Sequence, residues 1–439
     1  MSALSVPFSS PSVALGAACA VLAYSLVKHW SQRRFRLPPG PRGIPILGNV
    51  FDIPSRDEWK AYQTWGAELG SDIISLNMAG TPMIVLNSRE VARDLLEKRS
   101  AIYSDRPRYV MLNELCGFGW DFNFQPYGTA WKNRRKLFTR EMQPPKSLQH
   151  RPRVQAAVRS MLQKLARKPD AFTSHLRHMA GEIILSIAYG IEVLAENDPH
   201  VQMSEAGLIA IVKAANWGSH SVDFIPWLKH LPEWLPGMGF KKEAVRWKRL
   251  SEAMVNKPFE YAENILRRGE YSTSIASSVL ENMNEKDVEA RTVLRDTLGA
   301  MYEAGADTTV SALSTFILAM VLYPEVQRRG REEIEQVIGV SRLPTFEDDK
   351  SIPYVDAIVK EVLRWQPVTP LALPHRLESD DEYKGAMLQD KGMYGEDTDA
   401  FRPERFLKDG ALAQVKMSPG HLCGSPSHPY YYASKYPRL

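Results

Sequence analysis

Cysteine is scarce in this chain of 439 residues: there are 3, at Cys19, Cys116 and Cys423, and none forms a C-x-x-C pair. That excludes a disulfide framework and a thiolate zinc site of the usual spacing, and it fits a reducing compartment. A surplus of one charge is lacking as well, since 55 basic residues face 51 acidic ones. Nothing is left over to follow a phosphate backbone, so nucleic acid is not an expected partner. The most uneven stretch is the beginning, where no side chain from Met1 to Val27 is charged.

Within that stretch Val13 to Val27 is an apolar run, followed at once by Lys28, Arg33, Arg34 and Arg36. A cleavable signal peptide carries its cations before the apolar run; here they follow it, so residues 1–36 read as a membrane anchor with a basic flank, body on the cytosolic side. Residues 37–49, "LPPGPRGIPILGN", follow as a stiff spacer, because each proline fixes φ and removes a backbone donor. The body, 50–412, reads as mainly α with a small β part. "DIISLNM" and "PMIVLN" alternate like two strands around the turn at Ala79, Gly80 and Thr81, and Ser88 is placed to cap a helix through Lys98. Beyond Trp131 most segments have helical period, including a long run from about Val288 to Tyr323 that Pro324 ends. Asn216 to Phe240 is irregular and rich in tryptophan, either a packed connector or a lip that dips into a membrane surface.

Two segments carry polar groups that a helical core does not need. In "MYEAGADTTVSALSTF" Gly305 weakens the helix and is followed by Asp307, Thr308 and Thr309. A threonine there can back-bond to the carbonyl three or four residues earlier, bending the helix and opening a notch for a small ligand or a proton relay. In "SIPYVDAIVKEVLRWQP" Glu361 and Arg364 stand one turn apart, and "AFRPERFL" later adds Arg405, a second cation able to share the carboxylate.

The order of proline-rich hinge, "WKNRR", "AGADTT", "EVLR" and "FRPERF" resembles the membrane-bound cytochrome P450 family of haem-thiolate monooxygenases, in a fungal secondary-metabolism flavour, from the anchor to about Leu412. The resemblance implies the cytochrome P450 fold, haem as cofactor, an NADPH-cytochrome P450 reductase as electron donor, a small apolar substrate and an endoplasmic reticulum membrane location. It implies that Trp131 and Arg135 hold one haem propionate and His375 the other. Asp307 and Thr308 would be the acid and alcohol that pass protons for cleavage of dioxygen's O–O bond. Glu361, Arg364 and Arg405 would form a structural triad. Met301, Tyr302, Ala304, Leu371 and Leu373 would line the substrate pocket, with the loop from Val110 to Phe124.

The chain departs from this family in two places. The haem-ligating loop, F-x-x-G-x-R-x-C-x-G, is not found around Cys423: Lys416, Pro419, His421 and Ser425 occupy its anchoring positions. Pro419 cannot donate an amide to a sulfur ligand, so Cys423 is expected not to be the axial ligand, and residues 413–439 read as an aberrant, disordered tail. Near 385/386 Gly385 joins Ala386 where the family has a hairpin, a loss of roughly a dozen residues, which would leave a sheet edge unpaired. Besides a monooxygenase, two readings stay open: a truncated, inactive member that binds haem weakly or not at all, and a non-catalytic carrier of apolar ligands.

Overall fold

Alternating apolar residues build the first sheet. Ile73–Met78 (β1) and Thr81–Leu86 (β2) pair antiparallel from Ile73↔Leu86 to Met78↔Thr81. The turn between them puts Ala79 and Gly80 at φ 49° and 86°, and Asn77 accepts the Gly80 amide at 2.7 Å to hold it. The computed structural model describes residues 37–54, 56–215, 220–270, 273–379, 381–383, 401–408, 411–412 and 431–434. The expected anchor over residues 1–36, the Gly385–Ala386 junction and Cys423 lie outside the described residues.

The longer helices are Glu58–Leu69 (α1), Thr129–Met142 (α2), Arg151–Arg167 (α3), Phe172–Tyr189 (α4), Pro199–Ala215 (α5), Phe240–Arg267 (α6), Val288–Leu322 (α7), Pro324–Val337 (α8) and Pro353–Trp365 (α9). Ser88 caps the turn at Arg89 by accepting the Val91 amide at 3.3 Å. Asp287 caps α7 the same way, through the Ala290 amide at 2.9 Å. α7 is the axis of the helical body and packs against α2, α4, α5 and α6. Gly305 is what lets α4 come so close: a Cβ there would stand 2.9 Å from Cγ1 of Ile184. Among the described residues α7 is also the one helix long and apolar enough to cross a membrane, but its neighbours are the other helices of the core.

Two large apolar clusters lie on either side of α7. One gathers β1, β2 and the loop from Tyr109 to Phe124 around Ala300, with Trp131, Leu371 and Leu373 packed against it. The other joins α4, α5 and α6 to Leu294, Leu298, Met301, Tyr302 and Ala306. The architecture is mainly α with a small β part.

The tail differs from expectation at one place. Tyr431–Ser434 (β6) forms a strand, antiparallel to β2 from Met83↔Ser434 to Leu86↔Tyr431 and parallel to His375–Arg376 (β3). A run of tyrosines suits a pleated strand, and the ladder completes the order β1-β2-β6-β3. β6 thus pairs on both sides within this sheet, where the loss near 385/386 had led to the expectation of an unpaired edge. A short hairpin, Leu407–Lys408 (β4) with Ala411–Leu412 (β5), lies against α9.

α9 is fixed to this end by a buried charge network. Glu361 Oε2 accepts from Arg364 Nε at 2.7 Å, and Oε1 accepts from Arg364 Nη2 at 3.0 Å, Arg405 Nε at 3.1 Å and the Arg402 amide at 2.6 Å. The Glu361 and Arg364 side chains are 0% and 2% exposed, so this is not a surface pair of the usual small worth. Glu361→Ala leaves two guanidinium groups without their carboxylate and is expected to cost about 3–5 kcal/mol, read as a lower urea midpoint at an unchanged slope.

Candidate functional site

One face of α7 carries Asp296, Ala300, Glu303 and Asp307, spaced three or four residues apart. Asp296 is buried between two arginines. Its Oδ2 accepts from Arg134 of α2, whose Nε lies at 3.1 Å, and its Oδ1 accepts from Arg295 Nε and Nη2 at 2.9 and 2.7 Å. Of the "WKNRR" cations, then, Arg134 is taken up in holding α2 to α7. Arg135, four residues after Trp131 on the same helix, is exposed and meets only the Phe138 ring, 5.5 Å away, with no carboxylate partner among the described residues. Trp131 is half-buried and tilted against Tyr127 at 5.2 Å.

His375 sits on β3 with Nδ1 2.6 Å from the Tyr103 carbonyl. Burial, with the nearby Arg106 cation, holds its pKa down to about 4. Arg106 donates to the Leu373 and Pro374 carbonyls at 3.1 and 3.0 Å and therefore belongs to the same corner. Sequence reasoning passed over Arg106; an arginine directly before Pro107, in "SDRPRY", was the available signal.

Thr308 Oγ1 donates to the Ala304 carbonyl at 2.8 Å, a back-bond of one turn, which leaves its oxygen able to accept. Asp307 lines a cleft of about 240 Å³ between α4 and α5 that also holds Arg177, Ser204, Glu205 and Lys213. Ala304 is half-buried, and Leu371 and Leu373 pack on the cluster around Ala300. Met301 and Tyr302 lie in the cluster on the other side of α7 from Ala300, where Tyr302 meets Tyr189 edge-on and donates its hydroxyl to the His200 carbonyl. The helical period turns them away from the Ala300 face, so they pack helices and do not line a pocket on that face.

Two acids that sequence reasoning left out complete the Ala300 side. Asp121 is fully buried, and burial pushes its carboxyl up to about 7. Glu303 is driven well above the usual carboxylate range, first by desolvation and then by Asp121 and Asp307. The signal was an acid inside an apolar helix, visible in "MYEAGADTT". Above them, Asp223 ties the segment after α5 to the turn Val110–Leu115: Oδ1 accepts the Met111 amide at 2.9 Å.

This arrangement sets a cation-bearing helix and a half-buried corner of Arg106 and His375 beside a helix face with acids and a hydroxyl. It suits a planar group with carboxylate arms on one side and oxygen chemistry on the other. The chain matches the family model described as Cytochrome P450 over residues 38–423. It is 38% identical over 408 residues to the cytochrome P450 monooxygenase ple1 of Rhodocybe pseudopiperita, covering 88% of this chain and 77% of that protein. Over 394 residues it is 41% identical to the tryptamine 4-monooxygenase of Psilocybe cyanescens, covering 85% and 77%. The cytochrome P450 monooxyhenase eriA of Hericium erinaceus is 40% identical over 405 residues, covering 88% and 76%. The chain belongs to the cytochrome P450 family.

Burial lifts Asp223 from 3.8 to about 7, so the unfolded chain gives up this proton before the folded one does. Stability contributed by the neutral carboxyl is full below about pH 4 and is lost as pH rises through about 7. Asp223→Asn keeps the amide acceptor and removes the titration. The difference in melting temperature between variant and parent is expected to widen in the variant's favour from pH 5 to pH 8.

Proposed function

We propose that this chain is a haem-dependent monooxygenase that oxidises a small apolar molecule with dioxygen and electrons supplied by an NADPH-cytochrome P450 reductase. The observation that carries it is the exposed Arg135 guanidinium, without a carboxylate partner among the described residues, one turn from Trp131 on a helix whose buried arginine, Arg134, is already paired. The donor set fits haem on its carboxylate side. Trp131 and Arg135 would hold one propionate, and a propionate beside His375 would draw a proton onto its Nε2, since Nδ1 already faces the Tyr103 carbonyl. Arg106 adds a cation to that corner. When bound, the haem supplies activation of dioxygen.

The chain's own residues do the rest. Asp307 takes protons from the cleft beside Arg177 and Lys213 and passes them to the Thr308 hydroxyl, whose proton is otherwise held on the Ala304 carbonyl. Ala304, Leu371 and Leu373 give the substrate an apolar wall, and the Glu361–Arg364–Arg405 network braces the helix behind the site. An N-terminal anchor over residues 1–36 would hold the body at the endoplasmic reticulum membrane, near apolar substrates and the reductase.

A second reading, an inactive member with weak or no haem binding, is favoured by the tail: Lys416, Pro419, His421 and Ser425 stand where the ligand loop needs other residues. The carbon monoxide difference spectrum of the reduced protein separates the two. A thiolate-type Soret band supports the monooxygenase, and its loss in Cys423→Ala would make Cys423 the ligand despite its surroundings. No such band in the parent leaves the inactive member. In protein loaded with haem, Arg135→Ala is expected to lower haem retention several-fold on gel filtration, with the far-ultraviolet dichroism unchanged.

A further inference from the structure

The Ala300 face of α7 contains a charge arrangement that haem binding does not use. Asp296 is neutralised by Arg134 and Arg295, but Glu303, two turns further along, makes no hydrogen bond or ion pair among the described residues. Asp121 approaches from the loop that packs on this helix. Its Oδ1 accepts the Asn123 amide at 3.0 Å, whereas Oδ2 is buried with no hydrogen-bond partner. Two more acceptors of the same loop, Asn113 Oδ1 and Gln125 Oε1, are buried and unmet too. Their amide orientations are set by their own donors, Asn113 Nδ2 to the Phe124 carbonyl at 3.0 Å and Gln125 Nε2 to the Gly119 carbonyl at 2.7 Å. Every unmet group in this set is therefore an acceptor.

A buried acceptor without a donor is costly, and a set of them is complementary to a ligand that brings several N–H bonds and a positive charge. The surrounding wall is apolar and aromatic: Phe118, Trp120, Phe122 and Phe124 share one buried cluster with Ala300. We propose that Glu303, with Asp121 behind it, forms a subsite for the protonated amine of a substrate whose remaining body is apolar and aromatic. The charged groups facing the pair are Asp296 and Asp307 on α7 and Arg106, which Asp121 senses from the corner beside His375. Without a cation the two carboxyls hold protons well above the ordinary range, and an arriving ammonium allows them to ionise. This rests on the monooxygenase reading only in that the Ala300 face is taken as the pocket wall.

The test uses the full chain, with and without haem, and two probes of nearly equal shape, 2-phenylethylamine and 2-phenylethanol, in equilibrium dialysis. The parent is expected to bind the amine about tenfold more tightly than the alcohol. Glu303→Gln removes that preference, Asp121→Asn reduces it, and both leave alcohol binding within about twofold. Both variants also melt at a higher temperature than the ligand-free parent, because a carboxyl that no cation balances has been removed. A merely structural role for Glu303 predicts the opposite, a lower melting temperature and weaker binding of both probes, and would overturn the proposal. So would equal affinities in the parent, a preference that survives Glu303→Gln as a proton relay to Asp307 would allow, or binding of neither probe. If the amine preference holds in haem-free protein that never gives a thiolate-type spectrum, the subsite stands and the monooxygenase reading falls.

Discussion

The ion pair between Arg134 and Asp296 sets the distance on which the site depends. It joins the helix with Trp131 and Arg135 to the helix with Glu303, Asp307 and Thr308, and it does so inside the protein, where two charges persist only with good geometry. Arg295 takes the second oxygen of Asp296, so the carboxylate is fully used and has one position. A shift of α2 along α7 would break these bonds before it moved the cations relative to the hydroxyl. The spacing of the two helices is thus held by a pair whose oxygens are all used in holding it.

Around this clamp the two faces of α7 divide the work. One side is packing, where Met301 and Tyr302 meet α4 and α5 and Gly305 lets Ile184 approach. The other collects acids and an aromatic loop, held at its far end by Asp223. Burial lifts the carboxyls of Asp121 and Asp223 to about 7, which makes the stability of this side sensitive to pH near neutrality.

Much of the fold was legible because it rests on local signals. The period of β1 and β2, the Ser88 cap and Pro324 after α7 are each decided within a few residues. The family motifs added the Glu361 network, since it is built from short patterns. What stayed hidden depends on the third dimension. Nothing in "WKNRR" says that Arg134 turns inward and Arg135 outward. Neither does "GWDFNF" say that Asp121 will face Glu303, because the two lie far apart in sequence. The packing of Tyr302 against Tyr189 stayed hidden for the same reason. The tail misled through its prolines, which speak against helix and not against a strand farther on.

That strand, β6, has a consequence for the order in which the molecule assembles. It lies between β2, near the beginning of the body, and β3, so the sheet cannot close until residues 431–434 have left the ribosome. Until then β2 presents an unpaired edge while the helices are already free to pack. The nascent chain therefore carries an aggregation-prone edge for long, and chaperones that bind extended edges have their window while the residues between β2 and β6 are being made.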